Sequence, residues 1–193
     1  MVAGEPLGFL GSGFHMRLNL EVPVDSNDTG VITSLDPSFF FDIEEVQSQS
    51  QVFVNGEDRT SEFLVIADSV MPFDIEAPVF NINYSENQVV IMIAKKSSSE
   101  FKGTGQLRLP IHARYEHLDA KAEFSLWKLV NGESSYVNRC VGPFQVKRGD
   151  EYYGETPKYC IDIPTGVLQD LPFVYRSLVS LLIAGSVVVV LAI

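Results

Sequence analysis

The stretch HMRLNLEVPV, residues 15–24, decides the fold class. Its apolar residues Met16, Leu18, Leu20, Val22 and Val24 occupy every second position, with Arg17, Asn19, Glu21 and Pro23 between them. A period of two puts each set on its own face of an extended chain, so the stretch reads as a half-buried β-strand with a polar outer face. Pro23 removes one backbone donor and points to an edge strand. The pattern returns in residues 106–115, where Leu107, Leu109, Ile111, Ala113 and Tyr115 alternate with Gln106, Arg108, Pro110, His112 and Arg114. Further strands are expected at residues 51–54, 63–67, 88–94, 105–115, 121–130, 143–147 and 159–163. Residues 88–94, QVVIMIA, are almost continuously apolar, as in a central strand covered on both faces.

Between these runs lie polar turn clusters: residues 25–30 (DSNDTG), 54–58 (VNGED), 96–100 (KSSSE) and 130–133 (VNGE). Only residues 38–47 could form a short helix. Short strands at regular spacing, with almost no helical periodicity, indicate an antiparallel β-sandwich over residues 15–172. A chain of that size can bury a core without further staples. Residues 1–14 hold four glycines and a proline and read as a flexible leader.

The charge and the hydrophobicity of the chain occupy different segments. Of 193 residues, 46% are hydrophobic, yet 25 acidic against 14 basic residues leave a formal charge of −11. Binding to nucleic acid is driven by Lys and Arg displacing counterions, and no basic block exists here, so a nucleic-acid partner is not expected. All the acidic residues precede residue 173, and beyond it only Arg176 is charged. Residues 173–193, FVYRSLVSLLIAGSVVVVLAI, therefore read as a single transmembrane helix; the uncharged part after Arg176 alone would extend about 25 Å. Tyr175 and Arg176 are the residues expected at a membrane interface, and the hydroxyls of Ser177, Ser180 and Ser186 can bond to carbonyls of their own helix.

Two acceptor sequons, Asn27-Asp28-Thr29 and Asn83-Tyr84-Ser85, would be used only if the large domain faces the secretory lumen. Cys140 and Cys160 are an even pair in a Pro-, Gly- and Tyr-rich stretch and read as a disulfide, which also belongs to an oxidising compartment. Residues 1–10, MVAGEPLGFL, show neither a basic n-region nor an apolar h-region, so no cleavable signal peptide is read there.

Catalytic chemistry finds few parts. His112 and His117 stand five apart, unlike the i, i+4 pair of a helical zinc site, and His15 is the third and last histidine. Neither a phosphate-binding glycine loop nor a dinucleotide fingerprint nor a Gly-x-Ser-x-Gly elbow is present. The string Phe-Asp-Ile-Glu occurs twice, at residues 41–44 and 73–76. Carboxylates at i and i+2 of an extended segment share a side and could hold a divalent metal, but no nucleotide-binding βαβ unit surrounds either copy. The second copy lies between Pro72 and Ala77-Pro78 and reads as a rigid, shaped loop suited to protein recognition, with Phe73 and Ile75 in the core and Asp74 and Glu76 exposed.

Several strings, in order, resemble the PIG-X family: Gly13-Phe14-His15, then Phe73-Asp74-Ile75-Glu76-Ala77-Pro78, then Leu109-Pro110-Ile111-His112-Ala113-Arg114-Tyr115, then Cys160 with Ile163-Pro164-Thr165-Gly166 before the apolar tail. The resemblance implies a single-pass protein of the endoplasmic reticulum membrane with a lumenal β-rich domain. It implies a non-catalytic, stabilising subunit of GPI mannosyltransferase I without a cofactor, bound to the catalytic subunit PIG-M. That complex transfers the first mannose of the GPI anchor from dolichol-phosphate mannose, with the catalytic acidic motif in the partner. Members usually carry a signal peptide and often a short cytosolic tail, and neither is visible here. Partner contacts are expected at residues 73–78, at His112 and Arg114, and in the bilayer at Ser180 and Ala184, one helix face beside Gly185.

Other readings share the tail. A GPI-anchored surface protein ends similarly, although bulky Val167-Leu168 after Gly166 fits its signal poorly. A tail-anchored β-sandwich adaptor would carry its domain on the cytosolic side. An enzyme in its own right fits the residues least.

Overall fold

The computed structural model describes residues 6–24, 28–96, 101, 103–121, 125, 127, 131 and 135–192. The chain divides into two compact units, residues 1–116 with 138–163, and residues 117–137 with 164–193. The first unit is the expected antiparallel β-sandwich. One sheet runs in the order β1 (Gly8–Leu10), β2 (His15–Pro23), β9 (Thr104–Ala113), β5 (Gln51–Val54), β6 (Glu57–Asp58), and β4 (Phe39–Phe40) pairs with the far end of β9. The other runs β12 (Glu151–Glu155), β11 (Gln145–Arg148), β3 (Asp28–Leu35), β8 (Asn87–Lys95), β7 (Phe63–Ser69). A separate two-stranded ribbon joins β10 (Ser135–Val141) to β13 (Tyr159–Thr165), and the Cys140–Cys160 disulfide links its strands.

The two alternating stretches form the centre of the first sheet. Leu18 lies opposite Leu109 and Leu20 opposite Leu107, and all four are fully buried. Across the sandwich the inner faces of β3, β8 and β7 supply Val31, Ile91 and Val65 to the same core. Each such side chain contributes roughly 1.5–3 kcal/mol by leaving water. Pro23 sits on an inner strand, yet β1 covers β2 only from Arg17 to Asn19, so the Pro23 end needs no donor on that side. Residues 8–10 of the stretch read as a leader form β1, and Asn19 behind it donates from Nδ2 to the Pro6 carbonyl at 3.0 Å.

Other expectations need correction. Residues 88–94 are not covered on both faces: Val89, Ile91 and Ile93 are buried, while Gln88 and Met92 are exposed beside exposed Leu64 and Ile66 of β7. The continuous apolar run records an apolar outer face that stays open. Asp28–Leu35 is a strand that begins inside the expected 25–30 turn, and residues 25–27 lie outside the described set. Of the strand expected over 121–130, residues 122–124, 126 and 128–130 lie outside the described residues, and the one contrary position is Trp127, which is helical.

The short helix expected near residues 38–47 begins later. Phe39, Phe40 and Phe41 are buried, the first two in β4, so helix α1 covers Ile43–Gln49. Asp42 caps it, accepting from the Glu44 and Glu45 amides at 3.0 and 3.2 Å, and Glu44 and Glu45 place negative charge in its first turn.

In the second unit, Asp119 and Val167 form a parallel bridge, with the Asp119 amide donating to the Gly166 carbonyl at 2.8 Å. A 3₁₀ turn, Leu168–Asp170, then leads into α2, Leu171–Ala192. Leu178, Leu181, Leu182 and Val188 are all exposed among the described residues, and the length and composition of this apolar helix fit a membrane span. Ser186 Oγ donates to the Leu182 carbonyl at 2.8 Å, the backbone satisfaction an apolar medium requires.

Candidate functional site

The far end of β9 organises the candidate site. His112 lies opposite His15 of β2 on one side and Phe40 of β4 on the other. Its ring meets His15 edge-on at 4.8 Å and stacks on Phe40 at 5.0 Å. Its Nε2 contacts Oε2 of Glu45, from the first turn of α1, at 2.5 Å. A carboxylate only accepts, so this contact assigns the Nε2 proton to the imidazole.

Two residues on, Arg114 is 2% exposed. Its guanidinium lies over the Phe40 ring, 4.6 Å from the centroid. Nη1 donates to two carbonyls of the second Phe-Asp-Ile-Glu segment, those of Asp74 and Ala77, the latter at 2.8 Å. Within that loop Asp74 Oδ1 accepts from the Glu76 and Ala77 amides, both at 3.2 Å. The loop is fixed at its ends as well. Asn87 exchanges two hydrogen bonds with the Met71 backbone, at 2.7 and 3.0 Å, and the Val79 amide donates to the Tyr115 carbonyl at 3.0 Å. Residues 71–79 are thus a shaped loop held at three points, consistent with the rigidity its prolines suggest.

The leader's last residues close the same end. Phe14 packs on Tyr115 with ring centroids 4.6 Å apart, and its carbonyl accepts the Ala113 amide at 2.9 Å. A cavity of about 280 Å³ separates this pair from Ile75, Glu76 and Ala77. The short strings at residues 13–15, 73–78 and 109–115, distant in sequence, therefore converge on one end of the sandwich.

Burial divides the expected contact residues. Glu76, Asp74 and Ile75 are exposed and Phe73, Ala77 and Pro78 half-buried, so Ile75, expected in the core, instead stands 54% exposed. His112 and Arg114 are buried and do not themselves present a surface: Arg114 positions the loop, and His112 holds α1 through Glu45. Alternation placed them correctly on the polar face of β9. It could not show that β4 and α1 cover that face. Asn83 is exposed in the loop before β8, whereas Asn27 lies outside the described residues. Ser180 and Ala184 are exposed on α2. Among the described residues no three His, Cys, Asp or Glu side chains gather as a metal site would require.

Beside the loop, Glu116 was not anticipated from sequence. It is buried and takes two bonds from Arg139, to Nε at 2.8 Å and to Nη2 at 2.9 Å. Burial on its own would raise this carboxyl, but the Arg139 bonds together with the Ser38 hydroxyl outweigh it and hold the group below its ordinary value. The pair ties β10 to the segment that follows β9.

The family model described as PIG-X / PBN1 matches residues 11–137, about two thirds of the chain and all three converging strings. No curated protein and no solved structure matches the chain.

Proposed function

The chain belongs to the PIG-X / PBN1 family, which implies a role associated with GPI mannosyltransferase I; from that premise we propose that it is the non-catalytic, stabilising subunit of that enzyme. The family match over residues 11–137 carries this reading, and the exposed apolar helix within Leu168–Val189 supports a membrane-bound site of action. The sandwich lies in the lumen of the endoplasmic reticulum and packs on lumenal loops of the catalytic subunit, PIG-M. α2 anchors it in the same bilayer, with the Ser180 and Ala184 face free for close approach to a partner helix. The catalytic subunit performs the transfer of mannose from dolichol-phosphate mannose to the glucosaminyl-phosphatidylinositol acceptor. The pinned 71–79 loop supports recognition, because a surface already held in its bound shape loses little entropy on docking.

Deleting this protein should lower the steady-state abundance of the catalytic subunit and leave its turnover per molecule unchanged. Quantitative immunoblotting beside a mannosyl-transfer assay on the same membranes separates the two. Normal abundance with lost turnover would overturn the stabiliser reading.

A further inference from the structure

The two Phe-Asp-Ile-Glu copies, thirty-two positions apart, face one another across a cleft of about 590 Å³. The first copy supplies Asp42, Ile43 and Glu44 at the start of α1, and the second supplies Phe73 and Ile75 from the pinned loop. Asp68, at the end of β7, adds a third carboxylate. We propose that this cleft is the docking groove for an extended segment of the partner protein that places a Lys or Arg beside an apolar side chain.

Charge complementarity carries the choice of occupant. Among the described residues no cation lines the cleft, and neither Asp42, Glu44 nor Asp68 takes part in an ion pair. Elsewhere in the same unit Glu116 is paired with Arg139, and Glu57 and Glu62 share Arg59. Three carboxylates without an ion pair around one concavity make a negative potential that attracts a cation and repels a phosphate or a lipid phosphodiester. A bare metal ion fits poorly, since one oxygen of Asp42 is already committed to helix amides and one of Asp68 to the Ser69 amide. Phe41, Ile43 and Phe73 give the lining an apolar part, and Ile75 is held at 54% exposure, which a hydrophobic side chain of the occupant would cover. Both walls are preformed, one by the capped helix and the other by the Arg114 clamp. The inference rests on the reading that this chain binds a partner polypeptide, and it names the chemistry of the segment bound.

The test uses the full chain in detergent and a fluorescein-labelled peptide, acetyl-Lys-Leu-Lys-Leu-Lys-Leu-amide, followed by anisotropy. The wild-type chain should bind it, added salt should weaken binding, and the matching Glu-Leu peptide should not bind. Glu44→Gln with Asp68→Asn should raise Kd about tenfold or more and flatten the salt dependence. Ile75→Ser should weaken binding without changing the salt slope. Thermal melts establish that each variant is folded. Equal affinity of wild type and the double variant, or equal binding of the Glu-Leu peptide, overturns the groove. So does self-association of the chain that the double variant abolishes, which would assign the cleft to a second copy. Co-precipitation of the catalytic subunit separates the two readings. If wild type and double variant retain it equally, the groove fails and the subunit role stands. If wild type itself does not retain it, the subunit role fails while the peptide measurement still decides the groove.

Discussion

Arg114 shows how one buried cation can set the shape of a distant segment. Its guanidinium is stacked on Phe40 and bonded to carbonyls forty and thirty-seven positions earlier, so the conformation of residues 74–77 depends on a side chain of β9. Replacing Arg114 with Ala removes two charge-assisted bonds, each of a kind worth about 1.5–3 kcal/mol, and releases the loop. R114A should therefore unfold at lower denaturant concentration and be cut by protease within residues 71–79, whereas R114K, which keeps the charge but not the planar face stacked on Phe40, should restore only part of the protection. Glu116 offers a second check through pH. Its folded carboxyl lies below the ordinary value of 4.5, so its contribution is complete above that value and is lost as the pH falls through the depressed folded one. Acidification past this window should lower the melting temperature of the wild-type chain more than that of E116Q. At neutral pH E116Q should be less stable by about 1–2 kcal/mol, a figure reduced because Arg139 is a third exposed.

At the level of elements, what could be read from sequence depended on whether local pattern or distant packing set the outcome. The strands β2, β5 and β9 were legible because their alternation matches the faces they bury. β8 was legible as a strand but not in its environment, since an apolar outer face looks the same in sequence whether covered or open. β3 was hidden because Asp28, Thr29 and Gly30, good turn residues, are here aligned by the ladder to β8. The strings of the candidate site were visible, but not the contacts among them. Arg114 reaches its loop, and Glu45 reaches His112, across separations that periodicity does not report. The Cys140–Cys160 bridge was legible from count and context. Its removal by C140S with C160S should cost about 3 kcal/mol in a denaturant titration under oxidising conditions, the chain-entropy value for closing a loop of this length.

For the whole molecule, the decisive expectation concerns placement in the membrane. α2 has 22 residues, about 33 Å of helix, which matches a hydrocarbon core of about 30 Å. The full chain should stay with membranes through alkaline carbonate extraction. With the domain in the lumen, exposed Asn83 should carry an endoglycosidase-sensitive glycan that N83Q reduces; unchanged mobility of every form would argue for the opposite orientation. A mechanical consequence follows from the order of elements at this end. Tension on the anchor enters the folded domain along β13, whose strand partner is β10 in a two-stranded ribbon, a pairing that is only marginally stable alone. The Cys160–Cys140 bond is the first covalent cross-link that such a pull meets. Beyond the cross-link the pull is shared with β10, which the Arg139–Glu116 pair ties to the segment that follows β9, so load on one strand of the ribbon is borne by two.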